Sequence, residues 1–165
     1  MGSQRMRRAA CPGSYDPPTR GHLDVITRTA ALFDEVHVLV GTNTAKTGLF
    51  PPDERVGLLA DALADLPGVE VHIFGGLVVD YCRSHGISAV VKGIRGSVDL
   101  EYESQMARMN RAMTGLETLL LPAAPEWASV SSSLVRDIAR MGGDFDQFVT
   151  PAIAARTREK LGTGS

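Results

Sequence analysis

The sequence predicts an α/β domain built on a five-stranded, doubly wound parallel sheet with helices on both faces. Two observations carry that prediction. Short apolar runs alternate with amphipathic segments about five times along the chain, the pattern of strand–helix–strand units. Such alternation implies parallel strands covered by helices on both faces. The chain has 165 residues, 44% hydrophobic and 22% charged, which suits one soluble core without staples. Neither an internal repeat nor a low-complexity tract nor a linker divides it. Residues 1–165 are therefore expected to form one Rossmann-like domain, with 1–6 a frayed or added start.

The elements follow in order. "RRAAC" (7–11) is a modest first strand, and 21–33 has helical periodicity. "EVHVLVG" (35–41) is a clear strand, followed by a helix over 52–65. There Pro52, Asp53 and Glu54 place a proline and two acids in a first turn. "VEVHIF" (69–74) alternates with period two and precedes a helix over 77–85. "AVVKG" (89–93) is short and buried, with a helix over 100–112, and "ETLLLP" (117–122) closes the sheet. Two further helices are expected at 132–140 and at 151–161, the latter capped by Thr150 ahead of Pro151. Gly68 and Gly86 sit where helices should stop.

Composition excludes several classes of function. A formal charge of -2 argues against broad binding to nucleic acid or an acidic membrane, while leaving room for a local basic site. No run approaches the roughly 18 apolar residues of a membrane span. Arg5, Arg7 and Arg8 make the start basic, but no apolar stretch follows as a signal peptide needs, so a cytoplasmic location is expected. Cys11 and Cys82 are too few for a disulfide framework and read as buried free thiols.

On such a sheet, ligands bind beyond the carboxyl ends of the strands, so the groups following each strand matter most. "CPGSYDPPTRGH" (11–22) follows the first strand. Gly13 permits unusual backbone geometry, and Ser14 adds a hydroxyl. Gly21 and His22 fall in the first turn of a helix, where free N–H groups and the dipole favour an anion. After the second strand, "GTNTAKTGLF" offers Lys46. After the fourth, Lys92, Gly93 and Arg95 place two cations around a glycine, which suits a polyphosphate. Asp99 and Glu101 read as ordinary dipole complements, whereas Glu103 could serve the site as an acceptor. Met106, Met109 and Met113 form a helical stripe for a core or a subunit contact, with Asn110 an unexpected amide within it. After the fifth strand, Trp127 and Ser131–Ser133 lead into a helix, a second anion cradle. Two helix N-termini with cations between them are what a nucleoside triphosphate needs.

Missing motifs narrow the chemistry further. No G-x-x-x-x-G-K-[ST] is present, and no G-x-G-x-x-G follows the first strand, against P-loop and dinucleotide-redox chemistry. The four histidines and two cysteines show no metal-ligand spacing, and structural or surface roles are expected for His37, His72 and His85. Ser14 has no evident histidine–acid pair, against acyl transfer.

"PGSYDPPTRGH" resembles the first-strand signature of the nucleotidyltransferase superfamily, G-[ST]-[FY]-D-x-x-[HT]-x-G-H, with Thr19 at the first position of its histidine pair. Together with "KGIRGSVDLEYESQMARMNR" and "EWASVSSSLVR", the chain is similar to the bacterial phosphopantetheine adenylyltransferases from about Arg8 to Leu161. The resemblance implies reversible adenylyl transfer from ATP to 4′-phosphopantetheine, giving dephospho-CoA and pyrophosphate. It further implies Mg²⁺ as cofactor, a cytoplasmic homohexamer in coenzyme A biosynthesis, and coenzyme A as a candidate feedback ligand. By matching position, Ser14 and Tyr15 meet ATP, and Ser14 also meets phosphopantetheine. His22 meets the α-phosphate, with Lys46 and Arg95 as its catalytic companions. Lys46 and Lys92 hold the substrate phosphate, while Leu77, Val78 and Asn110 line the pantetheine site. Gly93, Ile94, Arg95, Glu103, Trp127, Ala128, Ser129, Val130, Ser131, Ser132 and Ser133 complete the ATP site. Lys92 stands where arginine is usual, replacing a bidentate clamp with a point charge. The nearest alternatives are a relative acting on another phosphorylated acceptor, such as nicotinamide mononucleotide, and a nucleotide-sensing module.

Overall fold

The structure, a computed structural model, describes residues 5–42 and 48–163. Its elements run β1 (Arg8–Gly13), α1 (Arg20–Ala30), β2 (Glu35–Gly41), α2 (Pro52–Ala62), β3 (Val69–Phe74) and α3 (Val78–Ser84). They continue with β4 (Ala89–Ile94), α4 (Ser97–Thr114), β5 (Glu117–Pro122), α5 (Ser132–Arg140) and α6 (Pro151–Leu161). Two short 3₁₀ turns, at Pro125–Trp127 and Asp146–Phe148, escape the sequence pattern. Every predicted strand and helix is present. α4 is longer than expected at both ends: it begins at Ser97 and continues to Thr114, where Gly115 with a left-handed φ of 77° closes it. Gly86 likewise follows the end of α3 with φ 64°. Gly68 does not stop a helix, since α2 ends at Ala62. It turns the chain into β3 with φ 74°, and a Cβ there would meet the Asp34 carbonyl at 2.5 Å.

All five strands are parallel in the order β3-β2-β1-β4-β5. The chain winds outward from β1 through β2 to β3, crosses back to β4 on the other side of β1, and ends at β5. The β1/β4 boundary is thus the point where strand order reverses. Pairing there is short. β1 matches β2 from Arg8↔Glu35 to Gly13↔Val40, but matches β4 only at Ala9↔Ala89 and Ala10↔Val90. Pro12 supplies the reason. Its carbonyl faces β4 and accepts from Lys92 Nζ at 3.3 Å, while its ring leaves no N–H to continue the ladder. The two strands part, and a crevice opens between their carboxyl ends.

Alternating side chains send the two faces of the sheet to different helices. Ala9, Cys11, Val36, Val38, Val40 and Val91 pack with Ile26 of α1 and with Leu59 of α2 and Leu63 just beyond it. Ala10, Leu39 and Val90 pack with Val79 and Cys82 of α3, together with Ile87 and Leu116. A third cluster joins α5 to α6 through Val135, Ala139, Phe145, Val149 and Ile153, with Leu58 of α2 against it. That cluster fixes α5 relative to the sheet. Both cysteines are free and buried, as expected, and burial raises each thiol to about 11. They are inert thiols. Met106, Met109 and Met113 are not core in the single chain: each is exposed on α4. Among the described residues, no helix is long and apolar enough to cross a membrane.

α1 sits hard against β4 at one glycine. A Cβ on Gly93 would come within 2.8 Å of Val25 Cγ2, and a helical valine has essentially one rotamer with which to retreat. Gly93→Ala should therefore destabilise the fold by roughly 1–3 kcal/mol, read as a lower midpoint in urea. Adding Val25→Ala should recover much of the loss. An unchanged midpoint for Gly93→Ala alone would show that α1 can yield at this contact.

Candidate active site

α1 begins with a reciprocal capping box. Thr19 Oγ1 accepts from the His22 backbone N–H at 3.3 Å, and His22 Nδ1 accepts from the Thr19 N–H at 2.9 Å. A backbone N–H can only donate, so Nδ1 must be the unprotonated ring nitrogen and Nε2 carries the proton. Histidine thus occupies the place that glutamate or glutamine usually takes in such a box. Burial, then the charges of Arg95 and Lys92, lowers the His22 pKa from 6.5 to about 4. At neutral pH the cleft therefore presents an uncharged imidazole with an Nε2–H donor. The first backbone bond of the helix is Leu23 N–H to the Thr19 carbonyl. The N–H groups of Arg20 and Gly21 precede it and are available to an anion.

The loop leaving β1 is held by its own residues. Tyr15 takes a left-handed φ of 53°, its hydroxyl donates to the Cys11 carbonyl at 2.7 Å, and its ring meets the His22 ring edge-on at 5.0 Å between centroids. Gly13 fits beneath that ring, where a Cβ would lie 3.0 Å from Tyr15 Cε2. Asp16 and Arg55 are 6% and 8% exposed and form a buried pair at 4.0 Å. Asp16 accepts from the Leu49 and Phe50 N–H groups at 2.8 Å each. Arg55 donates to the carbonyls of Phe50, Ser14 and Gly41. The pair fastens the segment entering α2 to the β1 loop. Arg136 of α5 donates to the Asp16 carbonyl at 2.6 Å, drawing the second helix into the same knot.

The cations at the end of β4 are each steadied by an acid from α4. Lys92 Nζ lies 3.3 Å from Glu103 Oε1. Arg95 donates from its backbone N–H and from Nε to Asp99 Oδ2 at 3.0 and 3.1 Å, while Nη1 reaches the Val130 carbonyl at 3.1 Å. Burial opposes ionisation of Asp99, but the hydrogen bonds and charge of Arg95 outweigh it and keep the carboxyl below its ordinary range. Asp99 is thus more than a complement to the helix dipole.

Each serine of the triplet has a separate task. Ser131 caps α5 by accepting from the Leu134 N–H at 3.1 Å. Ser132 donates to the Pro17 carbonyl at 2.8 Å, tying α5 to the β1 loop. Ser133 accepts from Arg136 Nη2 at 3.2 Å. The N–H groups of Ser132 and Ser133 precede the first helical bond, from Val135 N–H to the Ser131 carbonyl, and form the second orphan pair.

These parts enclose a cleft of about 680 Å³, the size of a small-molecule site. Of the residues picked from sequence, it brings together Ser14, Tyr15, His22, Lys92, Gly93, Arg95, Glu103, Trp127, Val130 and Ser131–Ser133. Ile94, Ala128 and Ser129 lie beside its lining without joining it. Leu77 and Val78 open α3 just past the end of β3, and Asn110 is buried on α4; all three are outside the lining. Lys46 lies outside the described residues. Sequence reasoning gave no site role to Asp16, Arg55, Arg136 and Arg140, all of which line the cleft. Arg136 and Arg140 carried a usable signal, since their i, i+4 spacing puts them on one face of the helix that the serines cap. Arg55 carried none, because only the fold sets it beside Ser14.

Known proteins resemble this chain over nearly its whole length. Residues 10–138 match the cytidylyltransferase-like family. A phosphopantetheine adenylyltransferase of Nocardioides sp. (strain ATCC BAA-499 / JS614) is 50% identical over 159 residues, spanning 96% of this chain and 100% of its own. That of Frankia casuarinae is 50% identical over 160 residues, covering 94% of this chain and 99% of its own. The Streptomyces coelicolor protein of the same name is 47% identical over 156 residues, covering 94% and 98%. A solved structure from Vibrio parahaemolyticus, described as a nicotinate-nucleotide adenylyltransferase, shares the fold with a TM-score of 0.69 at 17% identity, over 97% of both chains. With its signature loop, two helix N-termini and paired cations at the switch point, the chain belongs to the cytidylyltransferase-like family and, within it, to the phosphopantetheine adenylyltransferases.

Proposed function

We propose that the chain transfers the adenylyl group of ATP to 4′-phosphopantetheine, forming dephospho-CoA and releasing pyrophosphate, reversibly. The observation that carries this reading is the tautomer-locked, uncharged His22 at one orphan helix N-terminus, facing a cleft that holds a second one. The names of the relatives supply the acceptor.

The reaction needs no protein nucleophile. A phosphate oxygen of phosphopantetheine forms the new bond to the α-phosphorus as the bond to the bridging oxygen of pyrophosphate breaks. The protein positions the reactants and stabilises charge as it develops. His22 donates its Nε2–H to the α-phosphate. A neutral donor suits a reversible reaction, since it yields no proton that must later be recovered. Lys92 holds the acceptor phosphate, and the role proposed for Lys46 is to offset the repulsion between that phosphate and the α-phosphate. Arg95 and the α5 N-terminus hold the departing pyrophosphate, while Ser14, Tyr15, Glu103 and the 127–133 segment hold the rest of ATP. Leu77 and Val78, at the strand-end edge of α3, take the pantetheine arm. Asn110 joins them because it lies seven residues, two turns, beyond Glu103 on the same side of α4.

Mg²⁺ is the proposed cofactor. The described carboxylates of the cleft are Asp16, Asp99 and Glu103, and each is already paired with a cation or with backbone N–H groups. Such a set fits an ion carried chiefly on phosphate oxygens, with Asp99 and Glu103 as its oxygen donors within reach. When bound, it supplies charge neutralisation on the triphosphate. The proposed assembly is a cytoplasmic hexamer that buries the exposed α4 face of Val98, Tyr102, Met106, Met109 and Met113. Coenzyme A, carrying the product's own groups, is its proposed feedback ligand.

The reading as a whole predicts pyrophosphate release from ATP that depends on phosphopantetheine and is absent with nicotinamide mononucleotide. His22→Ala should lower kcat by about 10²–10³-fold, or roughly 2.7–4 kcal/mol, with ATP affinity by calorimetry little changed. Turnover near wild type would remove His22 from the chemistry. In the ligand-free protein, the His22 ring should remain neutral in NMR titrations down to about pH 4. The unfolded chain takes up that proton near 6.5, so His22 contributes a loss of stability as pH falls from 6.5 to about 4. His22→Gln should flatten this part of the stability curve. Lys92→Arg should leave phosphopantetheine binding unchanged or tighter, because a fork replaces a point charge. A large loss of affinity would show that Lys92 serves another purpose.

A further inference from the structure

Three of the four histidines, far apart in the chain, meet on the α3 face of the sheet, and none of them lines the cleft. His37 of β2 stands in register with Glu70 of β3. His72, two residues along, points to the same face as Glu70. The His37 and His72 rings are 5.2 Å apart between centroids. One ligand atom from each of His37, Glu70 and His72 lies within 4.8 Å of the other two.

The surrounding groups orient His37 for ligation. His37 is 5% exposed. Its Nε2 lies 2.6 Å from Glu35 Oε1, and Glu35 is itself held by Arg8 Nε at 3.0 Å. A carboxylate only accepts, so Nε2 carries the proton and Nδ1 keeps the lone pair, which takes the Tyr81 hydroxyl at 2.9 Å. An imidazole with one nitrogen donating to a carboxylate and the other free to coordinate is the usual state of a ligating histidine. His72 Nε2 donates to Glu70 Oε2 at 3.0 Å, and a cation bound between them would replace that proton. His85 stands 5.6 Å from His37 between ring centroids. Its Nδ1 lies 2.9 Å from the Tyr81 carbonyl, which leaves Nε2 as a further lone pair.

We propose that His37, His72 and Glu70 form a binding site for a divalent transition-metal ion of the Zn²⁺ type. Two imidazoles and one carboxylate are a zinc-like donor set, whereas Mg²⁺ prefers oxygen alone. Donors on a tetrahedral zinc lie roughly 3.4 Å apart, so binding draws in the partly exposed His72 and Glu70 side chains and displaces the Tyr81 hydroxyl from Nδ1. A water would complete the four-coordinate shell. The ion ties β2 to β3 beneath α3 and takes no part in adenylyl transfer.

The test uses Co²⁺ as a spectroscopic probe on the whole chain, without nucleotide, in Mg²⁺-containing buffer. One Co²⁺ per chain should bind with the strong visible absorption of a four-coordinate ion. Zn²⁺ should displace it mole for mole and raise the thermal midpoint. His72→Gln and Glu70→Gln, both on side chains that do not build the core, should each weaken Co²⁺ binding about tenfold or more and remove the band. Their phosphopantetheine-dependent turnover with Mg²⁺ should be unchanged. Absence of the band at millimolar Co²⁺, or a band that survives either substitution, would overturn the site.

Discussion

Hydrogen bonding between β1 and β4 ends at Ala10 and Val90, and the cleft follows from that ending. Pro12 offers β4 a carbonyl but no N–H, so the ladder cannot continue. Lys92 fills the gap by donating its ammonium to that carbonyl. One side chain thus closes the sheet where the backbone cannot, and the same side chain stands ready beside the cleft. The helix that follows β1 is carried to the crevice with its N-terminus foremost. α5 is brought opposite by Ser132 and Arg136, both of which bond to the carbonyls of the β1 loop.

The charges of the cleft are arranged so that it is neither bare nor saturated. Lys92 and Arg95 face acids on α4, Glu103 and Asp99, while Asp16 is consumed by Arg55 and two backbone N–H groups. Without ligand, the cations are held in place instead of being left to move in solvent. An incoming polyphosphate competes for them with single carboxylates, which it outmatches in charge. His22 fits this balance by remaining neutral: a proton on it would add a third positive charge beside Lys92 and Arg95, in a buried place. The capping box contributes from the other direction, because an Nδ1 that accepts from the Thr19 N–H has no room for a proton.

The exposed apolar face of α4 and the histidine cluster under α3 show what lies outside that economy of charge. The methionines of α4 face away from the core. The cluster of His37, His72 and His85 is polar, and its rings are hydrogen-bonded to Glu35, Glu70 and Tyr81. It lies on the face of the sheet that serves α3, so whatever binds there acts on stability before it acts on chemistry.

By itself the sequence determined the five strands, the helices and one parallel sheet, because apolar periodicity is a local property and strand–helix alternation implies a parallel sheet covered on both faces. The signature loop, the K-G-I-R segment and the serine triplet were equally legible, being contiguous stretches whose turn and capping chemistry is written in neighbouring residues. Tertiary structure alone decided the rest. Arg55 is 41 residues from Ser14 and reaches its carbonyl only because β1 and β2 are adjacent. The three serines have three different partners, and composition could assign only the cap. His37, His72 and His85 have no ligand spacing along the chain, yet neighbouring parallel strands and the end of α3 set them side by side. In a parallel sheet, residues from distant crossovers meet through register, and register is fixed by the packing of the whole domain.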